Sequence, residues 1–548
     1  MNSIWNKNFE AFKKRFPALV QFTGSTPVAP ESLWQLEQSK NGMPTASEGG
    51  VRLHSAYNPE REAQGAVNRD EVFEKSTVVF YGFGLGYHVI EWAKAATRRK
   101  VNSQNKLPKL VLIEPDVNHF FASMCVLDWA PVFELENLVI AVGAPVESVL
   151  PLLEDTSTVN IGQTGVSDAC YFDIPAFTAH AQNYFDTVRS LIKRNQRKNE
   201  INAATLKKFG RRWCRNSVRN LKVLEKTGFI SPLEGKLKNI DSADSPAFLI
   251  IGAGPSLETI LPYIKKLQKR MITVCVETAL HTLLRAGVEP DFVILTDPQF
   301  WAYRHIAALK SASSVLISEI SAYPAVFRFS CNNILLCSSQ FPVGQYVQNQ
   351  LKLNPGDLGT GGSVASCAWN FAYYCGAKEI YTAGLDFAFP KGQTHIKGSS
   401  AEQTWHSISN RLSAADKSTA AALYSANASV SKNYNGGQVI TDSRMKMFSW
   451  WFESRLAACS DVQTYTLCSQ GLYTPGIKTA DIQQIINKPI SENLIKHRQD
   501  FMKLARSIKA ELTAQQNNQL AELSEAFGSS DSIPQDFIDS YPFLKEYF

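Results

Sequence analysis

Glycines, a proline and a serine stand together at Gly252-Ala253-Gly254-Pro255-Ser256-Leu257, directly after the apolar run Ala247 to Ile251. Glycine lets a backbone turn sharply and approach a phosphate closely. Ser256 can cap the helix expected to follow. The amino terminus of that helix, with free N–H groups and a positive dipole end, favours an anion. A plain strand–helix turn is the competing reading; the preceding strand and the Pro-Ser pair favour a phosphate. The contacts assigned to it are Gly252, Gly254, Pro255, Ser256 and Leu257.

A second glycine-rich loop runs from Gly356 to Ser363 and precedes the helical pattern Val364 to Tyr374. Thr360, Gly361, Gly362 and Ser363 can cap that helix and hold a second anionic or carboxylate group. Acids follow two apolar runs: Asp297, with Gln299 beside it, after Phe292 to Thr296, and Asp386 after Ile380 to Gly384. In open α/β sheets ligands bind outside the carboxyl ends of the strands. Both acids are therefore expected at the crevice of the first loop, to contact ribose, base or sugar. His395, in Gly392-Gln393-Thr394-His395, is the candidate acid or base, since imidazole titrates near neutrality. No DxD sequence occurs. That favours a donor with a single phosphate over a metal-held diphosphate. No metal ligands are assigned, although the separated Asp297, Asp386 and Glu319 leave the metal question open.

These loops need strands to hold them. From Ala247 the chain alternates apolar runs with helical patterns: Ala247–Ile251, Met271–Val276, Phe292–Leu295, Val315–Ser318, Ile334–Cys337 and Glu379–Thr382. Six buried strands with helices between them predict a mostly parallel sheet covered on both faces. An earlier segment repeats the logic. Ser76 to Tyr81 runs into Gly82-Phe83-Gly84-Leu85-Gly86, and Leu110 to Ile113 ends in Glu114-Pro115-Asp116. That is the opening of a doubly wound fold. Its site is expected to serve packing or acceptor docking, without a bound cofactor. Between the two, Thr187 to Lys226 holds about thirteen Lys and Arg against two acids, with apolar residues at helical spacing. It is either a solvated helix face or an electropositive wall beside an anionic donor. Ile495 to Phe527 reads as an amphipathic helix pair broken at Gln515 to Asn518.

The expected architecture is therefore α/β: an amino-terminal Rossmann-like domain (1–185), a basic helical linker (186–245), a central nucleotide-sugar-binding catalytic domain (246–440) and a helical carboxyl-terminal region (441–548). The 548 residues suffice for several cores, and a net charge of +6 is small for this length. No run of about 18 apolar residues appears, so no spanning helix is expected. The first residues lack the apolar core of a secretory signal. The ten cysteines are scattered without CxxC, as expected for buried reduced thiols in a cytoplasmic protein.

The motifs resemble the Maf (motility-associated factor) or DUF115/MptE-like family. The matching pieces are GAGPSLE (252–258), LTDPQ (295–299), GTGGSVA (359–365) and AGLDFAF…GQTH (383–395), preceded by HSAYNPEREA (54–63), GFGLGYH (82–88) and IEPD (113–116). The central order also resembles bacterial sialyltransferases, with Ala253 where those carry Asn. The resemblance implies a sialyltransferase-like central domain and transfer of a nonulosonic acid, pseudaminic or legionaminic in type, from a CMP-linked donor to Ser or Thr of flagellin. It implies cytoplasmic flagellin and the CMP-sugar as partners, no nucleic acid, no membrane insertion and no tightly bound cofactor. His395 is the expected base or leaving-group acid, and Asp297 and Asp386 the residues that orient the donor. Two other functions stay open: a 6-hydroxymethylpterin diphosphokinase-like enzyme using ATP, and a non-catalytic flagellin-binding protein.

Overall fold

The computed structural model describes residues 3–102, 107–153, 169–359, 362–528, 533–541 and 544. The chain divides into two compact units, residues 1–207 and 208–548. The basic segment is one continuous 39-residue helix, Gln182–Asn220, which passes through that division. It is thus not a separate linker domain.

The first unit is built on a four-stranded sheet of β1 (Thr77–Tyr81), β2 (Lys109–Glu114), β3 (Leu138–Val142) and β4 (Ala169–Asp173). All pairings are parallel and the order is β3-β2-β1-β4. Val78, Val79 and Phe80 of β1 have no exposed surface, as a continuous apolar run covered on both faces requires. The glycines after β1 have a packing role. Gly84 has φ +52°, and a Cβ there would lie 2.8 Å from His54 Nε2 and 3.0 Å from the Phe177 ring. The Leu85 amide donates to His54 Nε2 at 3.0 Å. The loop is therefore filled by the protein's own side chains.

The second unit carries a nine-stranded, all-parallel sheet. Its strands are β5 (Gly228–Phe229), β6 (Ala247–Ile251), β7 (Met271–Val276), β8 (Phe292–Ile294), β9 (Lys310–Ser318), β10 (Ser330–Leu336), β11 (Glu379–Ala383), β12 (Gln463–Thr466) and β13 (Ile477–Thr479). The order is β13-β12-β11-β6-β7-β8-β9-β10-β5. All six expected strands are present, with ends displaced by a few residues. The other three were not legible. β12 and β13 carry the sheet past residue 440, so the region after 441 is not purely helical. The helix Glu492–Ser507 belongs to the same core: Phe501 packs on Phe248 and Phe292 at 6.2 Å between ring centroids. Its Arg498 pairs with the buried Asp291 at 2.7 Å.

The break between the last two long helices falls earlier than expected. Thr513 caps Ala514–Ala526 in a capping box with Gln516, so Gln515 to Asn518 open a helix instead of interrupting one. All ten cysteines are free. No helix among the described residues is long and apolar enough to cross a membrane.

Candidate active site

At the carboxyl ends of β6 and β11 two loops meet backbone to backbone. The Gly252 amide donates to Ala383 O and the Gly254 amide to Gly384 O, both at 2.8 Å. A Cβ on Gly252 would stand 2.5 Å from Gly384 O, and one on Gly254 would overlap the Asp386 carboxylate. Gly384, with φ +68°, is closed off in the same way by Gly252. The glycines exist because two loops touch here.

The polar groups of this loop have partners within the chain. The Ser256 amide donates to Asp386 Oδ2 at 3.0 Å, and the Ser256 hydroxyl donates to Asp386 Oδ1 in a short hydrogen bond. The Leu257 amide donates to Gly254 O, and the Leu257 side chain lies in the core. Pro255 has no N–H and is buried. The helix that Ser256 precedes has only four residues, and Ser256 makes no side-chain cap. The Ser256 amide and hydroxyl are thus engaged by an internal carboxylate, 130 residues away in sequence, and the Gly252, Gly254 and Leu257 amides by backbone carbonyls.

Burial is the largest influence on Asp386, raising its pKa to about 6 against the two Ser256 hydrogen bonds, which lower it. The backbone just after it is unusual: Phe387 has φ +47°, a region that bulky side chains rarely adopt.

Beside this junction lies a cavity of about 240 Å³ lined by Gly252, Gly254, Glu277, Ser363, Asp386 and His395, among others. Five of these six were expected from the sequence. Ser363 caps the helix Val364–Tyr374 by accepting from the Ser366 amide at 3.3 Å, within a capping box. Gly362, at φ +72°, makes the turn into it. Thr360 and Gly361 lie outside the described residues. His395 is half-buried, 3.2 Å from Thr394 Oγ1, and burial lowers its pKa, so the ring is held toward the neutral form.

Glu277 was missed. It follows β7 directly, opens the helix Glu277–Arg285 and is buried. Its Oε2 has no hydrogen-bond partner among the described residues. Burial, then the nearby Asp297, push its pKa up to about 8, so the carboxyl carries its proton at neutral pH. An acid just beyond the end of a mostly apolar strand was the available signal, the same one that marked Asp297 and Asp386.

Asp297 is not in the cavity lining, contrary to expectation. It closes a turn onto Gln299, accepting from that amide at 2.7 Å and from its side chain at 3.4 Å. Gln299 is occupied in the same turn. Burial raises the pKa of Asp297, with Arg212 pulling the other way. One strand further, burial raises Glu319 to about 7 against hydrogen bonds from Ser321, Ser339 and the Gln340 amide. Among the described residues these separated acids form no metal-ligand group. Asn216 of the long helix spans the β8 and β9 ends, donating to Pro298 O at 2.9 Å and Ser321 O at 3.0 Å. The helix thereby brings Arg212 near Asp297. A larger cavity of about 750 Å³ lies beside Gly376 and Lys378, at the amino end of β11 and away from these strand ends.

Residues 38–138 match the glycosyltransferase Maf N-terminal domain, and residues 215–392 match the 6-hydroxymethylpterin diphosphokinase MptE-like family. A solved Maf glycosyltransferase from Magnetospirillum magneticum AMB-1 superposes with a TM-score of 0.58 at 14% identity, covering 100% of this chain and 87% of that one. At that identity the likeness is one of fold. Curated relatives include uncharacterized proteins of Treponema pallidum (strain Nichols). One is 32% identical over 230 residues, covering 37% of this chain and 58% of its own length. Another is 28% identical over 273 residues, covering 47% and 85%. The chain spans 58%, 45% and 40% of the length of three of these relatives. In agreement with the resemblance carried by its motifs, the chain matches the Maf glycosyltransferase amino-terminal domain over 38–138 and the MptE-like family over 215–392.

Proposed function

We propose that the protein is a glycosyltransferase that moves a nonulosonic acid, of pseudaminic or legionaminic type, from a CMP-linked donor to Ser or Thr of flagellin in the bacterial cytoplasm. The observation that carries this reading is the Maf amino-terminal domain at 38–138 on the same chain as the strand-end cavity. The donor's sugar–phosphate bond breaks, CMP departs with the bonding pair, and the acceptor oxygen bonds to the sugar carbon. The acceptor proton needs a base. His395, held toward neutrality by burial, is suited to accept it rather than to act as an acid. Glu277, protonated at neutral pH, offers a hydrogen-bond donor to the phosphate or sugar carboxylate without adding negative charge. Asp386 shapes the pocket by holding Ser256 in place.

Intact-mass measurement of flagellin expressed with and without this protein tests the reading. A mass increment of one nonulosonic acid per modified site is expected, and an unchanged mass refutes it. The MptE-like match at 215–392 favours a second reading, an ATP-dependent diphosphokinase. A nucleotide panel separates the two. Thermal stabilisation by CMP or CDP without magnesium fits the transferase, and stabilisation by ATP with magnesium fits the kinase.

A further inference from the structure

The first unit holds a cluster of imidazoles and carboxylates that the transfer chemistry does not use. Three elements supply it. Glu48 ends the strand Pro44–Glu48 of a small antiparallel sheet. His119 lies in the first turn of the helix Val117–Val126, which follows β2. His180 sits in the turn Ala179–Ala181, after β4. One ligand-capable atom from each of the three lies within 4.8 Å of the others.

The details resemble a prepared coordination sphere. His119 Nε2 faces Glu48 Oε1 at 2.9 Å, while its Nδ1 is held by Asp116 Oδ2 at 2.9 Å. His180 Nε2 is held by Glu114 Oε1 at 2.8 Å. The two imidazoles stack 4.0 Å apart at 17°. The carboxylates are themselves fixed. Glu114 Oε1 accepts from the Asp116 amide at 3.0 Å, Asp116 Oδ1 caps the helix at the Asn118 amide at 2.8 Å, and Trp34 Nε1 donates to Glu48 Oε2 at 3.2 Å. A histidine that ligates through one nitrogen commonly gives the other to a carboxylate, which sets ring orientation. Asp116 does this for His119 and Glu114 for His180.

The position is informative too. Glu114 ends β2, Asp116 follows it and His180 follows β4, the neighbours of β1 on either side. The strand order reverses between them, which is where open α/β sheets bind ligands.

We propose that Glu48, His119 and His180 form a divalent transition-metal site of zinc class, with Asp116 and Glu114 orienting the histidines. Two imidazoles and one carboxylate suit zinc, cobalt or nickel better than magnesium or calcium. Three protein ligands leave a coordination position for water or an anionic ligand. No short spacing marks the site along the chain: Glu48 is 71 residues from His119, and Glu114 is 66 from His180.

The test uses full-length protein stripped with chelator, dialysed, and titrated with Zn²⁺ alone by calorimetry, with bound metal counted by mass spectrometry. One Zn²⁺ per chain is expected, uncompeted by excess Mg²⁺. The His119→Gln/His180→Gln double variant should lose that uptake. Asp116→Asn should weaken it by about 10–100-fold. His406→Gln, at an exposed histidine outside the cluster, should bind as wild type. Co²⁺ in place of zinc should give visible absorption that disappears in the double variant. Should the double variant fail to fold by circular dichroism, Glu48→Gln alone decides: weakened uptake supports the site and wild-type uptake overturns it. Absence of uptake by folded wild-type protein also overturns it and leaves a closed histidine–carboxylate ion network.

Discussion

Replacing Asp386 by asparagine separates the shape of the loop junction from its charge. The carboxyl is almost fully buried and its pKa rises from an ordinary 3.8 to about 6. Both of its oxygens accept from Ser256. An asparagine amide can keep both contacts: its oxygen accepts from the Ser256 amide, and its NH₂ donates to the Ser256 hydroxyl, which turns to accept. Asp386→Ala cannot. It leaves two buried groups of Ser256 without a partner at roughly 1–3 kcal/mol each. The isosteric variant should therefore fold well, and the alanine variant poorly.

The sign of the pH effect follows from the direction of the shift. An acid whose pKa is raised on folding binds its proton more tightly in the native state. Its stabilising contribution is complete below the ordinary value of 3.8 and is lost as pH rises through about 6. The separation corresponds to roughly 3 kcal/mol. The asparagine side chain does not titrate. Compared with wild type, Asp386→Asn should thus be near-neutral at pH 4.5 and gain about 2–3 kcal/mol by pH 8. Glu277 and Glu319 also titrate, but they are present in both proteins and cancel in the difference. Urea unfolding of the two full-length proteins at fixed ionic strength, from pH 4.5 to 8, measures it. A stability difference that is flat over this range refutes a buried, proton-holding Asp386.

Four further outcomes are expected. Gly254→Ala should lower stability by roughly 1–3 kcal/mol, since the new methyl overlaps Asp386 and stands 2.7 Å from Gly384 O; thermal unfolding checks this. Ser363→Ala should cost about 1 kcal/mol through loss of the cap on Val364–Tyr374, read in the same assay. CMP affinity of wild type, measured by calorimetry, should fall as pH rises through about 8, where Glu277 ionises, while Glu277→Gln stays level across that range. His395→Gln should reduce kcat by about 10²–10⁴-fold in a flagellin modification assay, with little change in KM.

What the sequence revealed tracks where local physics decides. β6, β7 and β8 are runs of apolar residues with almost no interruption, and a strand buried on both faces needs nothing else. β12 is the mostly polar Gln-Thr-Tyr-Thr, and β5 and β13 have two and three residues, so none gives a continuous apolar signal. The caps at Ser363 and Thr513 rest on contacts three residues away and were within reach. The partner of Ser256 was not. An amide at a glycine loop looks free until the chain returns 130 residues later with a carboxylate. Glu277 shows the same limit from the other side. Its identity was visible, but its chemistry comes from burial, which a linear pattern does not report.

The strand-end edge gains its meaning from those long-range effects. Asp386, Glu277, Asp297 and Glu319 follow β11, β7, β8 and β9, and all have raised pKa values for which burial is the first cause. Four ionised carboxylates there would repel any nucleotide. Burial keeps the Glu277 proton in place at neutral pH, so this cavity-lining residue is a hydrogen-bond donor instead of a charge. Asp297 has a cation, Arg212, to favour its charge, and it closes its own turn outside the cavity lining. The arrangement thus offers a neutral acid to an anionic ligand and keeps Asp297 out of the lining. The two loops keep that order by binding each other, which is why Gly252, Gly254 and Gly384 admit no side chain.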